Sequence, residues 1–442
     1  MTTPTPSKSW AEANPGGLFG SVFRGWIQPT LVIALTPPLA VLFWLWATEF
    51  DGSVLAFIQQ FSVQGLLDLW PSPSWWAVGV IAAWTAVQWL LLVVVPGKKA
   101  LGPVTPAGEQ PPYTLNGVAC WAITHVAVVG GTMMGWIRPA LIYDRFGEIL
   151  WTSILLSLVI CALLYVKGRV APTGKDTSVS ANPIWDYWNG VELHPRLFGV
   201  ELKQLINCRV SMMGWSVLLL CWAHKQIELT GSLHWAMGVS VGLQVVYLFK
   251  FFWWEDGYFR SLDITHDRFG YYLFWGLMAW VPSLYTLATM CLVERTTDIS
   301  PAVAIAIAIF GLASIAVNYA ADRQRQVVRA TNGDTTVFGK PPVLIEASYT
   351  TEDGEERTSI LLASGYWAIS RHFNYIAELA LAAAWTLPAG FGLLLPWSYV
   401  IFLTILLTDR ARRDDVRCAN KYGADWEKYT AVAKWKMIPG VW

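Results

Sequence analysis

The sequence predicts an all-α polytopic membrane protein of about ten transmembrane helices, with a small cytosolic β-hairpin before the last two. Three observations carry that expectation. Hydrophobic residues make up 55% of the 442-residue chain and charged residues only 14%, with 27 Trp, leaving too few charges to coat a water-soluble globule of this size. Mostly apolar runs long enough to cross a hydrocarbon core recur along the chain. One stretch breaks that habit: VLIEASYTTEDGEERTSILL alternates apolar and polar residues around Asp353-Gly354, the signature of a hairpin.

Taken in order, the start, MTTPTPSKSWAEANPGG, lacks a basic segment leading into a short apolar core. Residues 1–29 therefore read as a disordered cytosolic tail, with the first span as uncleaved insertion signal. Spans are expected near 30–47, 75–95, 117–136, 148–166, 208–224, 233–253, 270–292, 302–320, 374–389 and 391–408. Pro388 and Pro396 interrupt the last two, and Arg371, His372 and Glu378 crowd the start of the ninth, so a re-entrant pair is the alternative. Loops 96–116, 167–207 and 321–372 and the tail hold most Lys and Arg, whereas 48–74 and 293–301 hold only Arg295, so both termini are expected on the cytosolic side. Residues 30–320 are expected to carry the first eight helices, and 321–442 a separate C-terminal region with the last two. No internal repeat is evident, which excludes a solenoid or propeller.

Polar groups at membrane depth are costly, so clusters of them are functional candidates. In ADRQRQVVRATNG, Arg325 and Arg329 lie one turn apart on a shared helical face and could clamp a phosphate; a snorkelling basic collar is the alternative. In SGYWAISRHFNYIAEL, Trp367, Arg371, Asn374, Tyr375 and Glu378 recur at helical spacing on the approach to a span, and hydrocarbon offers Asn374 and Glu378 no partner. In DRARRDDVRCANKYG, Arg410, Asp414, Cys418 and Tyr422 step by four. That face, with Lys421 and Tyr429, suits a nucleotide-sized anion or is simply solvated. In YLFKFFWWEDGYF, Tyr247, Lys250 and Glu255 interrupt an apolar run; a phenol or neutral carboxylic acid there could donate a proton, and Trp253 and Glu255 are the expected substrate contacts. An interfacial aromatic belt is the alternative.

Other chemistries find no support. The chain has no H-E-x-x-H, G-x-S-x-G, Walker P-loop or G-x-G-x-x-G after a strand. Formal net charge is zero, so nothing suggests nucleic acid. The six Cys show no metal spacing and read as buried thiols; no metal site is expected.

Two long stretches resemble a known family. Arg410 to Gly423, RARRDDVRCANKYG, and Asp186 to Arg196, DYWNGVELHPR, are similar to the two signatures of the sterol reductases. PGKKALGPVTPAGEQPPYTLNG, HDRFGYYLFWGLMAWVPSLYT, DRQRQVVRATNG, ASYTTEDGE and SGYWAISRHFNY resemble its Δ7 branch, and the likeness runs from about Asp51 to Trp442. The resemblance implies a ten-span endoplasmic-reticulum enzyme, or a bacterial inner-membrane one if the source is prokaryotic. It would reduce a double bond of a membrane-embedded sterol with NADPH from the cytosol. Other sterol-biosynthetic enzymes are candidate partners. Family cofactor positions fall on Arg325, Arg329, Leu362, Trp367, Asn374, Tyr375, Asp414, Cys418, Ala419, Asn420, Lys421, Tyr422 and Tyr429. Animal relatives carry Lys where Arg325 stands.

An unactivated alkene does not accept hydride without an acid, so a proton donor is required. The candidates are Tyr247 and Asp414, the latter needing a raised pKa or a relay. Alternative readings are a Δ14 or Δ24 sterol reductase, a membrane methyltransferase and a non-catalytic sterol-binding scaffold.

Overall fold

The computed structural model describes residues 22–350 and 356–442. The chain forms two compact units: one runs up to Thr296 and includes Leu393–Pro396, the other comprises Thr297–Gly392 and Trp397–Trp442. It is a mostly helical, multi-pass membrane protein, as the composition demands.

In the first unit, α1 (Phe23–Thr48), α2 (Trp75–Val94), α4 (Phe146–Val170), α5 (Gln204–Thr230), α6 (Trp235–Trp253) and α7 (Tyr271–Met290) are long and apolar enough to cross a bilayer. Helix α1 starts ahead of the expected position 30, so the part of the expected tail after residue 21 is already helical; residues 1–21 lie outside the described part. Helix α3 (Gly117–Met133), at 17 residues, falls short of a full crossing length. It begins straight after a two-stranded hairpin, β1 (Lys98–Leu101) with β2 (Pro112–Leu115). Asn116 fixes the joint by donating to the carbonyls of Leu92 and Val95 at 3.1 and 2.8 Å, thereby satisfying the open end of α2.

Several charged groups of the first unit are deeply paired. Arg209 lies within a π-helical turn of α5 and meets Glu255 at 2.5 Å, with side chains 0% and 3% exposed. The DYWNGVELHPR signature folds into a clasp: Asp186 binds Arg169 at 2.6 Å, while Glu192 binds Lys167 at 2.6 Å and the Thr173 N–H at 2.6 Å. An apolar cavity of about 540 Å³ opens between α1 and α4, lined by Thr30, Ile33, Tyr165, Ile184 and Tyr187 among others.

The second unit begins with α8 (Pro301–Ala330), whose first turn is capped by Ser300 accepting from the Val303 N–H at 3.3 Å, with Pro in the first helical position. The expected hairpin is present: β3 (Leu344–Thr350) pairs antiparallel with β4 (Glu356–Leu362), Leu344 opposite Leu362 and Thr350 opposite Glu356. Its expected turn at Asp353-Gly354 lies outside the described residues. Helix α9 (Phe373–Thr386) packs along α8. It stops ahead of Pro388, and α10 (Ser398–Tyr422) starts only after Pro396. A short helix, α11 (Ala424–Val432), follows.

The expected count of about ten spans resolves into seven helices, among the described residues, that meet both length and apolarity for crossing. Helices α3, α9 and α10 occupy the other three positions. The reason is physical: α9 has only 14 residues before proline interrupts its hydrogen bonding, and the second half of α10 carries the charged tail signature.

Candidate active site

The second unit gathers most of the residues singled out for a phosphorylated ligand. Along α8, Asn318, Asp322, Arg325 and Arg329 fall at helical spacing, so the chain places two polar anchors and two guanidinium groups on neighbouring turns. Arg325 lies over the Trp367 ring at 4.1 Å and 3.8 Å from Asp322. Trp367, only 2% exposed, donates its indole N–H to the Ala321 carbonyl at 2.9 Å, so the guanidinium sits on a fixed aromatic floor. Leu362 closes the back of that floor with Val328 and Val337.

The approach to Trp367 depends on one glycine. Gly365 has φ +64, and a Cβ there would fall 2.3 Å from the Gln324 side-chain oxygen, which accepts from the Tyr366 N–H at 3.1 Å. Asn374 donates to Asp322 at 3.1 Å, and Asn318 ties the Asn374 carbonyl and Glu378 at 3.1 and 3.0 Å. Asn374 is thus locked in orientation, yet its Oδ1 is buried with no hydrogen-bond partner. A buried acceptor left open calls for a donor on a ligand.

Helix α10 presents the tail residues as the four-step pattern requires. Asp414 takes Arg417 at 2.5 Å on one oxygen and faces His372 Nε2 at 3.3 Å with the other. Burial alone would push its carboxyl up, but the hydrogen bond to His372 and the charges of Arg417 and His372 outweigh it and hold the group well below the usual carboxylate range. Burial and the Asp414 charge push the Cys418 thiol up to about 12, so it is no nucleophile at neutral pH. It is the one cysteine only half-buried; the other five are buried free thiols, as expected. Arg410 is half-buried, Ala419, Asn420 and Lys421 are exposed, and Lys421 caps the Tyr349 ring at 3.8 Å. Tyr422 packs on the core formed by Ala347, Leu361, Ala363, Trp426, Tyr429 and Ala433. Tyr429 lies within electrostatic reach of Arg325, Arg371, Arg329 and Cys418, and burial pushes its hydroxyl up to about 12, so it stays a donor. Two segments distant in the sequence, around Trp367 and from Cys418 to Tyr429, therefore converge on the α8 arginines.

The residues expected to meet the substrate lie in the first unit. Tyr247 is half-buried, its ring 5.9 Å from Trp215 and 4.8 Å from the Lys250 ammonium. Glu255 spends one oxygen on Arg209 and the other on the Gly117 N–H at 3.1 Å, holding α5 to the start of α3. Trp253 is 66% exposed at the end of α6, where an indole suits the bilayer interface.

Sequence reasoning passed over Asn318, Asp322, Gln324 and Arg209. The first two carried a signal, an i, i+4 polar pair continuing the face of Arg325 and Arg329; Arg209, set in an irregular turn, carried none. Arg371, grouped with Trp367 and Asn374 by spacing, is 7% exposed and clamps the Ala433 and Lys434 carbonyls at 2.7 and 3.0 Å, with Asp415 at 3.1 Å. It anchors the residues after α11.

The chain is 43% identical over 93% of its length, and 96% of the relative's, to a 7-dehydrocholesterol reductase of Arabidopsis thaliana. It is 36% identical to a 7-dehydrocholesterol reductase of Danio rerio, over 85% of this chain and 82% of that one. Against a Delta(14)-sterol reductase of Methylotuvimicrobium alcaliphilum it is 34% identical, over 93% and 94% of the two chains. The profile of the Ergosterol biosynthesis ERG4/ERG24 family matches residues 41–442. The chain belongs to that family and is a multi-pass membrane sterol reductase, an oxidoreductase of sterol biosynthesis.

Proposed function

We propose that this protein reduces the C7–C8 double bond of a Δ5,7-sterol, converting a 7-dehydrocholesterol-type substrate to a cholesterol-type product with NADPH. The observation that carries the cofactor is the pairing of Arg325 and Arg329 with an oriented Asn374 whose buried Oδ1 lacks a donor. The arginines fit phosphates, and Asn374 fits a carboxamide N–H. Tyr375, Tyr422 and Tyr429 supply aromatic walls, and Arg410, Asp414, Cys418, Ala419, Asn420 and Lys421 line the same ligand from α10. Residues 321–442 form the cofactor region on this reading, and 30–320 the sterol-facing one. The choice of Δ7 rests on the identity to relatives bearing that name.

When bound, NADPH supplies the hydride. The chain supplies orientation and the proton, Tyr247 and Asp414 being the candidate acids. Protonating carbon 8 of a ring-B diene leaves a cation at carbon 7 that the remaining double bond delocalises, and hydride adds there. The sterol reaches the site from the bilayer, since a flat apolar ring system gains about 25 cal/mol per Å² by avoiding water. We place the protein in the endoplasmic-reticulum membrane, or the inner membrane of a bacterium, with both termini cytosolic; other sterol-biosynthetic enzymes are natural neighbours there.

Purified protein given 7-dehydrocholesterol and NADPH deuterated at carbon 4 should yield product labelled at carbon 7. Label at any other carbon, or reduction of only a Δ14- or Δ24-sterol, refutes the Δ7 assignment.

A further inference from the structure

We infer that His372 and Asp414 share one proton as a dyad, and that this proton is the one Asp414 passes to the sterol. The inference rests on the proposed reduction and adds a positioning residue to it. His372 is 5% exposed, and its Nδ1 lies 3.0 Å from the Lys436 carbonyl, which also accepts from the His372 backbone N–H at 3.0 Å. A carbonyl only accepts, so Nδ1 must carry hydrogen. Nε2 then faces Asp414 Oδ2 at 3.3 Å. A neutral ring with hydrogen on Nδ1 would set a bare nitrogen against a carboxylate oxygen, two acceptors with nothing between them. One proton between Nε2 and Oδ2 resolves the conflict, as imidazolium with carboxylate or as imidazole with carboxylic acid.

The surroundings hold that proton in place. From α10, Arg417 occupies the other Asp414 oxygen at 2.5 Å and Cys418 approaches Oδ2 at 3.9 Å. From α9, which His372 caps at its start, Tyr375 stacks on the imidazole at 5.0 Å. From the tail, the Lys436 ammonium is drawn to Asp415 at 3.0 Å, and the neighbouring Arg371 is turned to Asp415 at 3.1 Å. Among the described residues the ring therefore meets a single charged partner directly, the carboxylate that the reaction scheme requires as an acid.

The step balances. The proton moves from Nε2 to Oδ2, and Asp414 gives it to one alkene carbon while hydride adds to the other. His372, neutral and still protonated at Nδ1, takes a new proton at Nε2 from water. An ionised Asp414 thus needs no raised resting pKa to act as acid, because its partner stores the proton.

The test uses the full chain in lipid nanodiscs with two variants. His372→Gln keeps an N–H donor but cannot titrate, and Asp414→Asn removes the acceptor. With 7-dehydrocholesterol, His372→Gln should lower kcat about 100-fold, the usual range for losing an acid–base group. It should leave the NADPH Kd within threefold, and kcat should fall at alkaline pH in the wild type but not in the variant. Independently of turnover, ¹⁵N-histidine NMR without cofactor should show a resonance, absent in His372→Gln, with Nδ1 protonated and Nε2 shifted when Asp414 becomes Asn. Wild-type kcat and pH profile in His372→Gln overturn the inference, as does a rise in Kd matching the fall in kcat, which would mark a purely structural ring. A His372 resonance protonated at Nε2 alone overturns it even if a variant misfolds. If the wild type fails to reduce 7-dehydrocholesterol, the Δ7 reading falls, and the NMR result still decides the dyad.

Discussion

Replacing Arg329 by Met should weaken NADPH binding about 10- to 100-fold while leaving the fold intact. Arg329 is exposed at the end of α8 and makes no ion pair among the described residues, whereas Arg325 is already engaged by Asp322 and Trp367. Its charge is therefore free for a ligand, and removing it strands no buried partner. A charge-assisted hydrogen bond contributes about 1.5–3 kcal/mol. At about 1.4 kcal/mol per tenfold, that corresponds to about 10- to 150-fold in Kd, with the lower part favoured because an exposed charge is screened. Arg325→Met should cost more, since it also removes a cation–π contact worth about 0.5–1 kcal/mol and frees the Trp367 face. The assay is fluorescence or calorimetric titration of purified protein with NADPH at low and high salt. Wild-type binding should weaken with salt more steeply than that of Arg329→Met. A variant Kd within twofold of wild type, or an unchanged salt slope, would show that this guanidinium does not meet a phosphate.

Three further outcomes follow from the same geometry. Arg209→Met leaves the Glu255 carboxylate buried without its cation and should destabilise the first unit by about 3–5 kcal/mol, read as a lower Tm in detergent, with little further loss in the Arg209→Met/Glu255→Leu double variant. Gly365→Ala imposes a left-handed backbone on a residue with a Cβ and drives it into Gln324, so NADPH affinity should fall by at least tenfold while sterol binding is kept. Asp414 has a depressed folded pKa, so its contribution to stability is complete above the unfolded value of about 3.9 and is lost as pH falls through the folded one. The Tm difference between wild type and Asp414→Asn should accordingly be constant from pH 7 to about 5 and shrink below about 4.

Legibility in the sequence followed the reach of periodicity. Helix α8 could be read whole, because apolar residues fill its bilayer half and Arg325 and Arg329 mark its end at a spacing that survives in three dimensions. The hairpin was equally open, since alternation and Asp353-Gly354 are local signals. Boundaries were less so: helix α3 ends early and α9 is cut at Pro388, and the count of full crossings changes with each. What stayed hidden were long-range pairings. Nothing near Arg209 announces Glu255, 46 positions away, nor does Lys436 announce His372, 64 positions away.

That blind spot limits what polarity at membrane depth says by itself. Glu255 and the signature residues Asp186 and Glu192 were conspicuous in an apolar chain, but each has its oxygens occupied by cations, N–H groups or hydroxyls, and a carboxylate so satisfied positions helices. Arg329 and the Asn374 Oδ1 differ in kind: one carries charge without a countercharge among the described residues, the other is buried without a donor. Such deficits cost stability, so each calls for a physical account. Both stand on the second unit, on α8 and α9, but other buried polar atoms without a partner, among them Gln88 Oε1, Asn207 Oδ1 and Ser261 Oγ, lie in the first. An open acceptor therefore points to a ligand only in company, as at Asn374, where Arg329 stands on the same unit with no ion pair among the described residues.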